Sequence, residues 1–195
     1  LKKEFLTDKF FKENTVKELT AQFFVYTQIQ EPLLTEFASD YVRKYEDRAD
    51  EEKETLLREN NPDILLKMLR GKCDVINQPL LHQKVLEHEE TLAPRMFEMY
   101  VKSLNTVFIE NSAKILARTQ NDYSEELLKI LDEIRSPYAM SLACITLGFI
   151  ADKLAVPMLL NKFYYFKKFY PEENYEQGAL LGLMELDNRF HLIRK

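Results

Sequence analysis

Along the chain one short phrase of polar and apolar positions recurs. It consists of a proline or acidic residue, two adjacent apolar residues, and another apolar residue one helical turn later. The phrase reads Pro32-Leu33-Leu34 with Phe37, Pro62-Asp63-Ile64-Leu65 with Met68, and Pro94-Arg95-Met96-Phe97 with Tyr100. It returns as Glu125-Glu126-Leu127-Leu128 with Leu131 and as Pro157-Met158-Leu159-Leu160 with Phe163. Apolar residues three and four apart mark one face of a helix. Proline suits a helix start because its missing N–H is one of the donors left unpaired in the first turn anyway. Each phrase therefore predicts a helix N-terminus. Successive starts lie 30, 32, 31 and 32 residues apart, and a near-constant period of this size indicates stacked supersecondary units.

A second helical stretch follows the first within each period. The pattern predicts Pro32–Glu46 paired with Asp50–Glu59, Pro62–Gly71 with Pro79–Thr91, and Pro94–Asn105 with Thr106–Gln120. It continues with Ser124–Arg135 paired with Pro137–Ala151, and Pro157–Tyr170 with Tyr175–Phe190. Two further helices, near Lys2–Lys12 and Val16–Gln30, are predicted to cover the apolar face of the first pair, as a terminal repeat requires. Asn14 or Thr15 would cap the second of them. The chain thus reads as one helical-repeat domain over 1–195, with a cap at 1–31 and repeats near 32–61, 62–93, 94–123, 124–156 and 157–195.

The second helices also carry a family resemblance. The stretch Ala143-Cys144-Ile145-Thr146-Leu147-Gly148-Phe149-Ile150-Ala151-Asp152, followed by Ala155-Val156-Pro157-Met158-Leu159-Leu160, resembles the HEAT repeat. Gly178-Ala179-Leu180-Leu181-Gly182-Leu183-Met184-Glu185-Leu186-Asp187 restates it, and Asp122, Asp152 and Asp187 read as one recurrent position. The resemblance is good over Pro137 to Asp187, weaker over Pro94 to Asp122, and only a rhythm before Pro94. There, tetratricopeptide-like or irregular pairs fit as well. It implies an all-α, right-handed α-α superhelix of about five HEAT-like pairs with N-terminal capping helices. In such a solenoid the second helices line the concave side.

Composition agrees with helices. The 195 residues are 46% hydrophobic, enough for a sizeable core, while 4 Gly and 7 Pro supply little of the punctuation that a many-stranded sheet needs. No strand is expected. A net charge of -5 and a sequence pI near 5.4 oppose a general attraction to phosphate backbones or anionic lipid. No apolar run reaches the roughly 18 to 20 residues that span a bilayer, and the first residues lack the apolar stretch of a signal peptide. Cys73 and Cys144 stand far apart with no Cys-x-x-Cys spacing, which indicates neither a disulfide framework nor a zinc site. A cytoplasmic location is expected.

Candidate chemistry is sparse. His88-Glu89 is the one His-Glu dipeptide, and the other histidines are His82 and His191. HEAT-like deoxyhypusine hydroxylases resemble this architecture and use several such dipeptides to hold two irons, so a metal-dependent hydroxylase is one alternative. The simpler reading places His88 on a solvated, charged face from Glu87 to Glu90. His-Glu-x-x-His, Gly-rich phosphate loops and Gly-x-Ser-x-Gly are absent. The run Phe163-Tyr164-Tyr165-Phe166-Lys167-Lys168-Phe169-Tyr170 could stack on exposed bases, and HEAT-like DNA glycosylases make a nucleic-acid enzyme a second alternative. Phe163, Phe166 and Tyr170, with Phe169 beside them, also make an ordinary buried stripe. Cys144 reads as a small packing residue and Cys73 as a turn residue. No catalytic residue, cofactor or metal is expected.

A binding module for a protein or peptide is the leading expectation. Glu110, Lys114 and Arg118 recur every four residues and form a charged stripe. Aligning Ala113 with Ala143 puts Met140, Cys144 and Gly148 at the equivalent positions of the next second helix. This predicts a groove floored by Met140, Cys144, Leu180 and Met184 and rimmed by Glu110, Lys114 and Arg118, on a non-catalytic scaffold. Close packing of the helix Pro137–Ala151 on every side is the competing reading. Leu127, Leu147, Leu159 and Leu160 are predicted to be core.

Overall fold

A computed structural model describes residues 48–74 and 76–192. The chain divides into two compact units, Leu1–Glu51 and Glu52–Lys195, and nearly all described residues belong to the second. The expected cap at 1–31, the phrase at Pro32 and the helix Pro32–Glu46 lie outside the described residues.

Among the described residues every regular element is helical and none is a strand. Residues 48–58 are helical. Then follow α1 (Pro62–Met68), α2 (Gln78–Leu86), α3 (Glu89–Lys102), α4 (Thr106–Leu116) and α5 (Ser124–Ile130). After these come α6 (Pro137–Ile150), a short 3-10 turn (Lys153–Ala155), α7 (Val156–Phe169) and α8 (Glu176–Phe190). The even-numbered helices meet in series: α2 packs on α4, α4 on α6, and α6 on α8. The odd ones pack against their neighbours, α1 against α3, α3 against α4, α5 against α6, and α7 against α8.

Local chemistry sets most of the boundaries. Asn61 accepts a hydrogen bond from the Asp63 amide, Asn105 from the Phe108 amide, and Ser136 from the Ala139 amide, so α1, α4 and α6 each begin at a capping side chain. Proline occupies the first or second position of α1, α2, α6 and α7. Asp122 and Asp152 accept amide hydrogen bonds from Ser124 and Leu154, two residues on, the first ahead of α5 and the second at the start of the 3-10 turn that precedes α7. The hydroxyl and amide of Ser124 hold the Asp122 carboxyl below its ordinary pKa. Asp187, the third of the expected series, lies inside α8 instead.

Three expected boundaries are corrected. The helix predicted from Pro79 to Thr91 breaks at Glu87 and His88, and α3 starts at Glu89, which leaves Pro94 inside it. Leu92 and Ala93 are buried, and their burial outweighs the single amide donor that proline cannot supply to the helix. Helix α5 ends at Ile130 rather than Arg135, because the Arg135 amide donates to the Val101 carbonyl and Ser136, ahead of Pro137, is held extended. Helix α4 ends at Leu116, with Ala117 as its C-cap.

The buried apolar side chains form one contiguous core. Its members include Leu65, Leu69 and Leu81, then Met96, Tyr100, Phe108 and Ile109, and further along the chain Leu147, Leu159, Phe166 and Leu186. The buried Tyr100 hydroxyl donates to the Ala139 carbonyl across 2.8 Å and ties α3 to α6. Burial pushes its pKa up, so the phenol stays a donor. Leu127, Leu147 and Leu159 are fully buried as expected, but Leu160 is 43% exposed. It follows Leu159 by one residue on α7, so its side chain points about 100° away from the seam.

Candidate functional site

Helices α4 and α6 pack against each other. Thr146 is buried between them and donates its hydroxyl to both the Ala113 and Leu142 carbonyls, at 3.3 and 3.1 Å. Small residues at Ala113 and Ala117 let the larger side chains of α6 stand above this seam. The result is an open groove of about 540 Å³. Its floor and far wall come from Leu142, Ile145 and Phe149, whose spacing of three and four residues keeps them on one side of α6. Phe149 is 49% exposed.

Polar groups sit at the groove's edges. At one end the Tyr138 hydroxyl donates to Glu110 Oε1 at 2.8 Å. Partial burial, then the hydrogen bond and charge of Glu110, push the Tyr138 pKa up to about 12, so the phenol remains protonated. At the other end stand Lys114, in the last turn of α4, and Arg118, just beyond it. Both are exposed, and among the described residues neither makes an ion pair or a side-chain hydrogen bond. Their charges lie against the negative end of the α4 dipole, which favours cations there. Behind this wall His82 is buried, with Nε2 3.0 Å from Asn111 Oδ1.

The expected site is assembled in part. Glu110, Lys114 and Arg118 all line the groove. The floor is different. Met140 is 6% exposed and Cys144 fully buried, and burial pushes the Cys144 thiol up to about 12. Both belong to the core and line no open surface. The cause is a shift of register: α6 turns Tyr138, Leu142, Ile145 and Phe149 to the groove, whereas the alignment of Ala113 with Ala143 selected the face that α8 covers. Gly148 shows how closely α8 lies, since a Cβ added there would stand 2.6 Å from Gly182 Cα. Leu180 and Met184 are exposed on α8 and lie outside the groove's lining. Nothing in the sequence of this nearly all-apolar helix distinguishes Leu142, Ile145 and Phe149 from the residues on its buried faces.

The other candidates resolve as packing. Phe166 is buried and Phe163 and Tyr170 half-buried, whereas Phe169 is exposed. Tyr165, Phe166, Tyr170 and Tyr175 form one aromatic cluster with centroids 5.7 to 6.3 Å apart. Lys167 and Lys168 lie over Phe163 and Phe169 of their own helix. Glu89 is not on a solvated face: it is buried, and its two oxygens accept the Gln120 and Asn121 amides at 2.9 and 2.8 Å. Cys73 donates to Glu52, which also accepts from the Asp74 amide and Asn77 Nδ2, a turn-forming role. Among the described residues no group of three or more His, Cys, Asp and Glu is placed to hold a metal, and no helix is long and apolar enough to cross a membrane.

The chain matches no family model, no curated protein and no solved structure.

Proposed function

We propose that this protein is a non-catalytic scaffold of HEAT-like helical pairs, stacked as a right-handed α-α superhelix, that binds a protein or peptide segment in the groove between α4 and α6. The groove carries the reading. Leu142, Ile145 and a half-exposed Phe149 present apolar surface beside a rim of charged side chains, the combination of apolar centre and polar edge on which protein segments dock. The repeat reading draws support from the serial packing of α2, α4, α6 and α8 and from the recurring phrase in sequence.

A peptide-display selection against the protein tests this, with Phe149→Glu as the counter-target. Because Phe149 is half exposed and outside the core, the variant keeps its helical circular-dichroism signal and its urea midpoint. The expected result is a set of peptides that bind the wild type and not the variant. Peptides that bind both equally, or a selection that enriches none, would overturn the proposal.

A further inference from the structure

The charges at the groove rim are unequally satisfied. Glu110, the one acidic side chain of the lining, already accepts from the Tyr138 hydroxyl. Lys114 and Arg118 are the two basic side chains of the lining, and among the described residues they have no anionic partner. Lys114 stands in the last turn of α4 and Arg118 in the turn that follows, and both line the groove. On a chain of net charge -5, these two cations beside apolar surface form a local exception to the overall sign.

Resting on the peptide-binding reading above, we propose that the groove's occupant is an acidic amphipathic peptide segment, with an apolar side chain seated against Ile145 and Phe149 and two carboxylates set on Lys114 and Arg118. Guanidinium suits a carboxylate because its paired N–H donors can meet both oxygens. A lysine one turn away adds a second point charge. Attraction of this kind mainly orients the segment and speeds its arrival, while the apolar floor supplies most of the holding free energy. Single-stranded nucleic acid also carries anions, but the apolar lining is Leu142, Ile145, Ala113 and Ala117 with two rings, Phe149 and Tyr138, and the Tyr138 hydroxyl is already engaged by Glu110. Base stacking uses aromatic platforms, and this floor is mostly aliphatic.

The experiment uses the full chain, peptides taken from a display selection against it, and three variants: Lys114→Glu with Arg118→Glu, Lys114→Gln with Arg118→Gln, and Phe149→Glu. Selected peptides are expected to carry Asp or Glu three or four residues from Leu, Ile or Phe. Their binding to the glutamate pair should weaken by about ten- to thirtyfold, and to the glutamine pair by less, with loss as salt rises. A second selection against the glutamate pair should enrich Lys and Arg in place of the acids. If the peptides need Phe149 but show no acidic bias and ignore both charge variants, the groove remains the peptide site and the acidic occupant is wrong. Indifference to Phe149→Glu as well would overturn the site itself. A fluorescent 20-nucleotide oligo-dT strand that binds the wild type more tightly than any selected peptide, and loses binding with the charge reversal, would overturn the acidic segment in favour of nucleic acid.

Discussion

His82 shows how a single side chain carries the pH sensitivity of this packing. Burial, and then the charges of Lys114 and Arg118, hold its pKa below 6.5, while the hydrogen bond that His82 donates to Asn111 Oδ1 pulls in the other direction. The folded chain therefore binds a proton less readily than the unfolded one. Its contribution is fully present above pH of about 6.5 and is lost as pH falls through the folded value. Urea midpoints should be level above that point and decline below it, and His82→Gln should flatten this decline. An unchanged slope in the variant would assign the effect to another group. Asp122 acts in a separate window: its lowered pKa makes its contribution fall away only below about pH 3.8.

Two neighbouring leucines give the sharpest stability contrast. Leu159 and Leu160 adjoin in sequence, yet one is fully buried and the other 43% exposed. Leu159→Ala should cost about 2 to 5 kcal/mol through lost transfer energy and the cavity left behind. Leu160→Ala should stay within about 0.5 kcal/mol. Equal urea midpoints for the two variants would show that the register of α7 is wrong.

The α6 and α8 helices pack through an absence of side chains. Gly178 sits on Ser141, Gly182 on the Cys144 carbonyl, and Gly148 on Gly182. All three contacts involve backbone, which cannot rotate away as a side-chain end can. Gly182→Ala should therefore destabilise by about 1 to 3 kcal/mol, the usual range for overpacking, despite alanine's better helix propensity. Gly71 is the control: a Cβ there would meet only the Met68 carbonyl, at 3.6 Å, so Gly71→Ala should be tolerated. Thermal denaturation of both variants checks the contrast. Arg189 reinforces the same junction by donating to the Gly148 and Ala151 carbonyls, each at 2.8 Å, at the C-terminus of α6.

Within the unit Glu52–Lys195, α6 is the most enclosed element, packed against α4, α5 and α8 with the core on its inner face. Local opening is cheapest where few apolar contacts are broken. Amides of α6 should consequently be the slowest of this unit to exchange with deuterium. Faster exchange in α6 than in α1, whose seven residues contribute only Leu65 and Leu66 to the buried set, would contradict that ordering. The far side of α8 presents Leu180 and Met184 to solvent, so those residues should exchange side-chain contacts for little stability when made polar.

Sequence by itself determined the helical class, most helix starts and much of the core. These follow from interactions within a few residues: apolar spacing of three and four, proline in a first turn, and Asn, Ser or Asp accepting an amide two or three residues on. The charged stripe Glu110, Lys114 and Arg118 was legible for the same reason. Tertiary structure decided which face of α6 is open. A helix apolar on nearly all sides, as Pro137–Ile150 is, carries no mark of its solvent side. Close approach at Gly148 and Gly182 rotates Met140 and Cys144 into the interior and leaves Leu142, Ile145 and Phe149 above the seam. Burial likewise overrode the local signals at Pro94 and Glu89, because contacts with residues thirty positions away outweigh what the immediate neighbours prefer.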